Sequence, residues 1–218
     1  MSQDRTTPAS ASLVQEVEDL IDRGERLGYP VSSRPEVRVG ASSRARWARG
    51  GQPARITVDA TMLERSAADR RWVIGHELGH LLPGTLRAGS VLQRGLVVGG
   101  LAVMAITVLV LLVVAVPRGW AAIPDGPVWS WGAFGIFAGL VIALTGLMGH
   151  SRDTEATCDR ASALIYGQTM SEEHVAYLLR REGLLNRLAP TVFRTHPRPP
   201  RRRAQVLALE DAAAPPAD

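Results

Sequence analysis

The chain has 218 residues and a net charge of +4, and all 25 of its basic residues are arginine. That length holds one ordinary domain with an addition and excludes a large multi-domain machine. The single cysteine, Cys158, excludes an internal disulfide framework, and the arginines lack the dense basic face interleaved with aromatics of a nucleic-acid binder, so no nucleic-acid partner is expected.

Residues 1–11 are polar, read as a disordered N-terminus, and lack the apolar core of a signal peptide. From Ser12 to about Leu27, the residues Leu13, Val14, Val17, Leu20, Ile21 and Leu27 recur at helical spacing, and Gly28 and Pro30 end the run. The segments 36–39 and 55–58 alternate in the manner of strands. The Gly50-Gly51 pair separates the second of them from 45–48, so a small antiparallel sheet is expected. Residues 60–64 and 67–82 then read as helices, the second broken by Pro83-Gly84.

Between Gly95 and Gly149 the only charged side chains are Arg118 and Asp125. Two uncharged stretches, 95–116 and 128–149, each reach about 33 Å as helices, enough to cross a hydrocarbon core of about 30 Å. They form a hairpin of two transmembrane spans with the lipid bilayer as partner, and an antiparallel pair brings Gly95 and Gly99 towards Gly146 and Gly149. Trp120, Trp129 and Trp131 cluster at the connection, where an aromatic belt would stand. The connection carries Arg118 alone, whereas the opposite flanks carry Arg87, Arg94, Arg152 and Arg160, so both termini are expected in the cytoplasm of a cell whose inner membrane the hairpin crosses. Residues 154–166 and 171–188 read as helices, and 194–203 as a basic, proline-rich turn before one short helix. The expected division is 1–11, 12–94, the hairpin 95–149, 150–207, and a disordered tail 208–218.

The segment His76-Glu77-Leu78-Gly79-His80 lies inside a helical pattern. Histidines four residues apart sit about 40° apart around the axis, so both imidazoles can reach one metal ion, while Glu77 is about 100° away and can serve a water without coordinating. Two imidazoles suit zinc, and a catalytic zinc site needs one more protein ligand. Taken alone, the pentapeptide also fits a solvated helix face. Beyond the hairpin, Glu155 offers a third ligand and Asp159, one turn on, can accept the free N–H of a ligating histidine. Cys158 is open to two readings, a soft ligand in place of Glu155 or a thiol packed in its helix. His150 and His174 read as structural or solvated, Trp47 and Trp72 as core residues rather than substrate pocket, and the arginines of 198–203 as solvated or facing lipid headgroups.

Three blocks in order, His76-Glu-Leu-Gly-His80, Ser151-Arg-Asp-Thr-Glu155-Ala-Thr-Cys158-Asp159, and Thr195-His196-Pro197 followed by arginines, resemble the M48 family of membrane zinc metalloproteases, the HtpX-like and CAAX-protease-like peptidases. Residues 46–63 resemble the strand-turn-strand that precedes the motif helix in that family. The resemblance implies an α+β, mainly α, gluzincin fold interrupted by the hairpin, with 12–94 and 150–207 as the two parts of the protease domain. It implies one zinc ion per chain held by His76, His80 and Glu155, Glu77 as general base and Asp159 behind the ligands. His196 is placed beside the reacting atoms as an oxyanion donor, with Arg202 as a further substrate or oxyanion contact. Cys158 stands where the family has alanine. The implied activity is zinc-dependent endopeptidase action on misfolded or dedicated membrane proteins at the cytoplasmic face. The alternative is a catalytically silent scaffold or sensor that kept the fold, and the presence of Glu77 argues against it.

Overall fold

The computed structural model describes residues 6–83, 91–118, 127–182 and 196–213, with the side chains of 114–118, 127–129 and 210–213 outside the description. The chain divides into two compact units, one of residues 1–88, 154–187 and 196–218 and the other of residues 89–153 and 188–195.

In the first unit, β1 (Thr7–Pro8) leads into α1 (Ala11–Arg26), whose N-cap Ser10 accepts from the Leu13 N–H. Within the N-terminus expected to be frayed, Thr7 and Pro8 instead pair with Val39 and Arg38, while residues 1–5 lie outside the described residues. The strands β2 (Glu36–Gly40), β3 (Arg44–Arg46) and β4 (Arg55–Asp59) complete a four-stranded sheet of order β1-β2-β4-β3. β3 and β4 form the expected antiparallel hairpin. Gly50 and Gly51 turn the chain with φ of 58° and 79°, conformations an L side chain rarely adopts. β2 and β4 run parallel, however, so the sheet is mixed and not antiparallel. Alternation marks each strand's buried face, but both strand directions present that same face, and the tertiary path decides between them.

A 3-10 turn (Ala60–Met62) capped by Asp59 follows, then α2 (Ala67–His80) with Ser66 as N-cap. Val17, Leu20 and Ile21 of α1, Ile56 and Val58 of β4, and Ile74 and Leu78 of α2 form one buried core with Tyr166. Fully burying such side chains contributes about 1.5–3 kcal/mol each, which pins α2 between the sheet and α1.

The helix α4 (Pro127–Arg160) runs on without interruption into a π-helical segment (Ala161–Ile165). The expected second span and the expected helix at 154–166 are therefore one continuous helix, because no proline breaks 149–160. Its last turns cross α2 closely. A Cβ on Gly79 would lie 2.9 Å from Cys158 Cα, and one on Gly75 would lie 2.6 Å from Ser162 Oγ. Gly75 and Gly79 are four apart, as are Cys158 and Ser162, so two i, i+4 rows meet. Ser162 also donates to the Trp72 carbonyl at 3.0 Å. The helix α5 (Glu172–Arg181) is capped by Ser171, and α6 (Pro199–Ala213) closes the unit. α6 begins at its proline pair, where a missing N–H costs nothing. It extends to Ala213, which corrects the disordered tail expected from 208. Residues 183–195, including Thr195 and the end of the expected helix 171–188, lie outside the described residues.

In the second unit, α3 (Val91–Arg118) packs against the hairpin part of α4. Gly100 approaches Gly139 and Ala143, and Gly146 approaches Leu96. Gly95 and Gly99 have nothing within 4 Å, so the expected pairing of those two glycines is corrected: the contact face passes through Gly100, about 100° further round the helix. Trp131 is 71% exposed, while Trp120 and the Trp129 side chain lie outside the described residues. The helices Val91–Val113 and Ser130–Ile165 are long and apolar enough to cross a membrane by length and composition, and only 6% and 22% of their apolar windows is buried. A buried core helix of a soluble protein would show the opposite, so these two helices suggest membrane association.

Candidate active site

The last two turns of α2 and the last two turns of α4 bring their polar residues together. Ligand atoms of His76, His80 and Glu155 all lie within 4.8 Å of one another. His76 Nε2 is 3.2 Å from Glu155 Oε2 and His80 Nε2 is 3.5 Å from Glu155 Oε1. The two imidazoles meet edge to face, with ring centres 5.1 Å apart. The donor set of two imidazole nitrogens and a carboxylate oxygen fits a divalent metal that prefers mixed nitrogen and oxygen ligands, zinc among them.

Asp159 and Arg202 stand behind this cluster. Asp159 Oδ1 lies 2.8 Å from His76 Nδ1, and Arg202 donates from Nε and Nη2 to the two oxygens of Asp159 at 2.7 and 2.6 Å. Both side chains are buried. The guanidinium of Arg202 lines the cleft while its fork is engaged by Asp159, so the structure places it behind His76. His196, 56% exposed, has Nε2 at 3.4 Å from Glu155 Oε2. It is the open side of the cluster.

The charges follow from this enclosure. Burial opposes ionisation of Glu155, but hydrogen bonds from His196 and His76 outweigh it and hold the carboxyl well below its ordinary range. Asp159 is likewise opposed by burial, yet the bonds from Arg202 and His76 bring it to about 2. Burial would discharge His76, but the two carboxylates overcome it and raise the imidazole well above its ordinary value. Burial, helped by the neighbouring His76, lowers His80 to about 4, so His80 is neutral and ready to ligate. Two carboxylates held low converge on His76 and favour a cation at this end of the cleft.

Glu77 is buried beside the ligands, and the loss of solvent raises its carboxyl to about 7. The backbone of Ala45, on the edge strand β3, hydrogen-bonds to it, which ties the sheet edge to the site. Cys158 is fully buried and lies outside the ligand cluster, and burial pushes its thiol well up. That favours the packed thiol over the soft ligand.

A cleft of about 300 Å³ joins His76, Glu77, Glu155, His196 and Arg202 to further residues of the sheet side and of α5. Its walls include Ser42 and Ser43 from the connection between β2 and β3, Asp59 from β4, and His174, Tyr177, Leu178 and Arg181 from α5. His174, expected to be structural or solvated, is 3% exposed and lines the cleft. The i, i+3, i+4, i+7 spacing of the α5 residues was the available signal, but it marks any buried helix face and does not tell a cleft from a core. Trp72, expected in the core, is buried there and also reaches the cleft wall.

A family model described as peptidase family M48 matches residues 10–210. The chain therefore belongs to peptidase family M48, a family of metallopeptidases. Comparison with curated proteins and with solved structures gives no match.

Proposed function

We propose that the protein is a membrane-anchored, zinc-dependent endopeptidase that cuts misfolded or dedicated membrane proteins at the cytoplasmic face. The convergence of ligand atoms of His76, His80 and Glu155, with Glu77 beside His76 and Glu155 on the cleft wall and Asp159 behind, is the observation that carries this reading. His76, His80 and Glu155 would hold one zinc ion. Bound there, zinc supplies a Lewis acid that polarises a carbonyl and acidifies water.

The chain's own residues perform the rest. Glu77, with its carboxyl near 7, takes the proton of the attacking water and hands it to the leaving amine, since a base poised near the working pH can do both. His196, on the exposed side of Glu155, donates a hydrogen bond to the developing oxyanion. Asp159 and Arg202 keep His76 in one tautomer and orientation. An extended substrate lies along β3, the last strand of the sheet, which gives recognition tolerant of sequence.

The exposed apolar surfaces of α3 and α4 support the bilayer as partner, and the arginine asymmetry of the flanks supports a cytoplasmic site. Two experiments test the proposal. Zinc content and casein cleavage are measured for the parent, Glu77→Gln and Glu155→Ala. Glu77→Gln is expected to keep zinc and lose cleavage, and Glu155→Ala to lose zinc. A Glu155→Ala protein that bound zinc and cleaved like the parent would overturn the ligand assignment, and an inactive zinc-loaded parent would favour the silent scaffold. Reporters fused after Gly89 and after Arg160 should both read cytoplasm, and a reporter between Arg118 and Gly126 the opposite side; the inverse pattern moves the site outside.

A further inference from the structure

The cleft face of α5 has no part in metal binding or proton transfer, yet it forms one wall of the site. His174, Tyr177, Leu178 and Arg181 share one side of that helix and line the same cleft as Glu77 and Glu155. Leu178, Met62 and Val73 add apolar lining to this cleft, which Arg181 also lines with 52% of its side chain exposed.

Arg181 is held in place from two directions. Its Nη1 donates to Asp59 Oδ2 and to the Tyr177 hydroxyl. Its guanidinium carbon lies 5.5 Å from the centre of the Tyr177 ring, which Arg65 approaches at 4.5 Å. The Tyr177 hydroxyl is itself fixed against Thr61 Oγ1 at 2.9 Å. Both hydrogen bonds of Arg181 leave from Nη1. Among the described residues, Nε and Nη2 of Arg181 make no hydrogen bond. An immobilised guanidinium with two open donors on one edge is matched by a carboxylate, which accepts two parallel bonds. Arg202, the other arginine lining the cleft, has its Nε and Nη2 engaged by Asp159. Asp59 offsets much of the long-range field of Arg181, so the selection acts by contact and rejects an amide of the same shape.

We propose that Arg181 is a specificity-determining residue that selects peptides bearing a carboxylate close to the scissile bond, whether an acidic side chain or the free carboxyl terminus. This rests on the peptidase reading above. A cleft of about 300 Å³ keeps a group bound at Arg181 within about one or two residues of the bond acted on by Glu77.

The test uses the full chain, zinc-loaded in detergent micelles, and four internally quenched peptides. They share one cleavable casein-derived sequence, carry Glu or Gln beside the bond, and end in a free or an amidated carboxyl group. The parent is expected to cleave the carboxylate-bearing form at least about 10-fold better in kcat/KM, the size expected when a charge-assisted bond is lost. A Glu-over-Gln preference identifies the side chain as the source, and a free-over-amide preference identifies the terminus. Arg181→Gln should bring the ratio close to one and Arg181→Lys should retain part of it. Arg34→Gln, whose ion partners lie on α1, should keep the parental ratio. The same peptides are titrated by fluorescence anisotropy into Glu77→Gln protein with and without Arg181→Gln, which reads recognition without turnover. Equal treatment of all four peptides by the parent, or an undiminished preference in Arg181→Gln, overturns the proposal. If the zinc-loaded parent cleaves none of them, the peptidase reading fails, and the anisotropy order still decides for or against Arg181.

Discussion

His76 Nδ1 lies 2.8 Å from Asp159 Oδ1, although 83 positions of sequence separate the two residues. The contact turns the other ring nitrogen of His76 towards Glu155, 3.2 Å away. Asp159→Asn should therefore weaken zinc binding by about 10- to 100-fold while circular dichroism shows the fold retained. Competition against a chelator of known affinity measures the loss. Parental affinity would mean that another group sets the His76 tautomer.

Arg202 is the cation of a buried pair, and its removal leaves the Asp159 carboxylate without its strongest partner. Arg202→Gln is expected to destabilise the chain by about 3–5 kcal/mol, since an uncompensated buried charge is costly. Arg201→Gln, one position away and exposed, should stay within about 0.5 kcal/mol of the parent. Melting temperatures of the two variants separate a buried positioning role from a general loss of positive charge.

At Gly79, α2 passes close against the backbone of α4. A methyl group there would meet Cys158 Cα at 2.9 Å and the Cys158 carbonyl oxygen at 3.2 Å, so backbone must move. Gly79→Ala should cost about 1–3 kcal/mol through overpacking and lower zinc occupancy as His80 and Glu155 part. Gly99→Ala, with nothing within 4 Å, should do neither. Thermal unfolding and metal analysis of the pair are the measurements.

His174 is 3% exposed, and burial, partly offset by Asp69, lowers its imidazole to about 4 from the ordinary 6.5. The folded chain thus keeps His174 neutral where the unfolded chain takes up a proton. Stability is fully present above about pH 6.5, falls as the pH drops towards 4, and loses no more from this group below that. The total comes to about 3 kcal/mol at most. Asp69, whose carboxyl is held low by Ser171 and Arg65 against the opposing effect of burial, adds its own loss only at still lower pH. Unfolding followed from pH 7.5 to 4 in excess chelator should show a shallower decline in His174→Gln than in the parent. Parallel curves would sink this assignment.

His196 separates chemistry from support. His196→Ala should leave zinc binding unchanged and reduce turnover by about 100- to 1,000-fold, the usual effect of removing one oxyanion donor. A residue that only shaped the turn before Pro197 would lower the melting temperature instead and spare turnover per folded molecule.

The elements with a strong local signal were legible. The apolar run from Leu13 to Ile21, the uncharged spans, and the Gly50-Gly51 turn all describe local periodicity or backbone freedom, and the structure shows an element at each. The parallel pairing of β2 with β4 was not legible, because alternation is the same for either direction. Neither was the short strand β1, two residues whose only strand signal is the partner they meet. The glycine face of the hairpin shifted from Gly99 to Gly100, a rotation that helix packing sets and composition does not.

The candidate site divides along the same line. The sequence by itself determined which polar groups share a helix face: His76 with His80 on α2, and Glu155 with Asp159 on α4, because a rise of about 1.5 Å and a turn of about 100° per residue leave no choice once a helix forms. Only the tertiary structure decided that these two faces meet. The approach depends on Gly75 and Gly79 lying against Ser162 and Cys158, a steric fit between backbones far apart in sequence. The same packing buries Arg202 on Asp159 and brings the α5 face with Arg181 to the cleft. Those placements arise from the exclusion of water and the pairing of charges between elements, which no local pattern encodes.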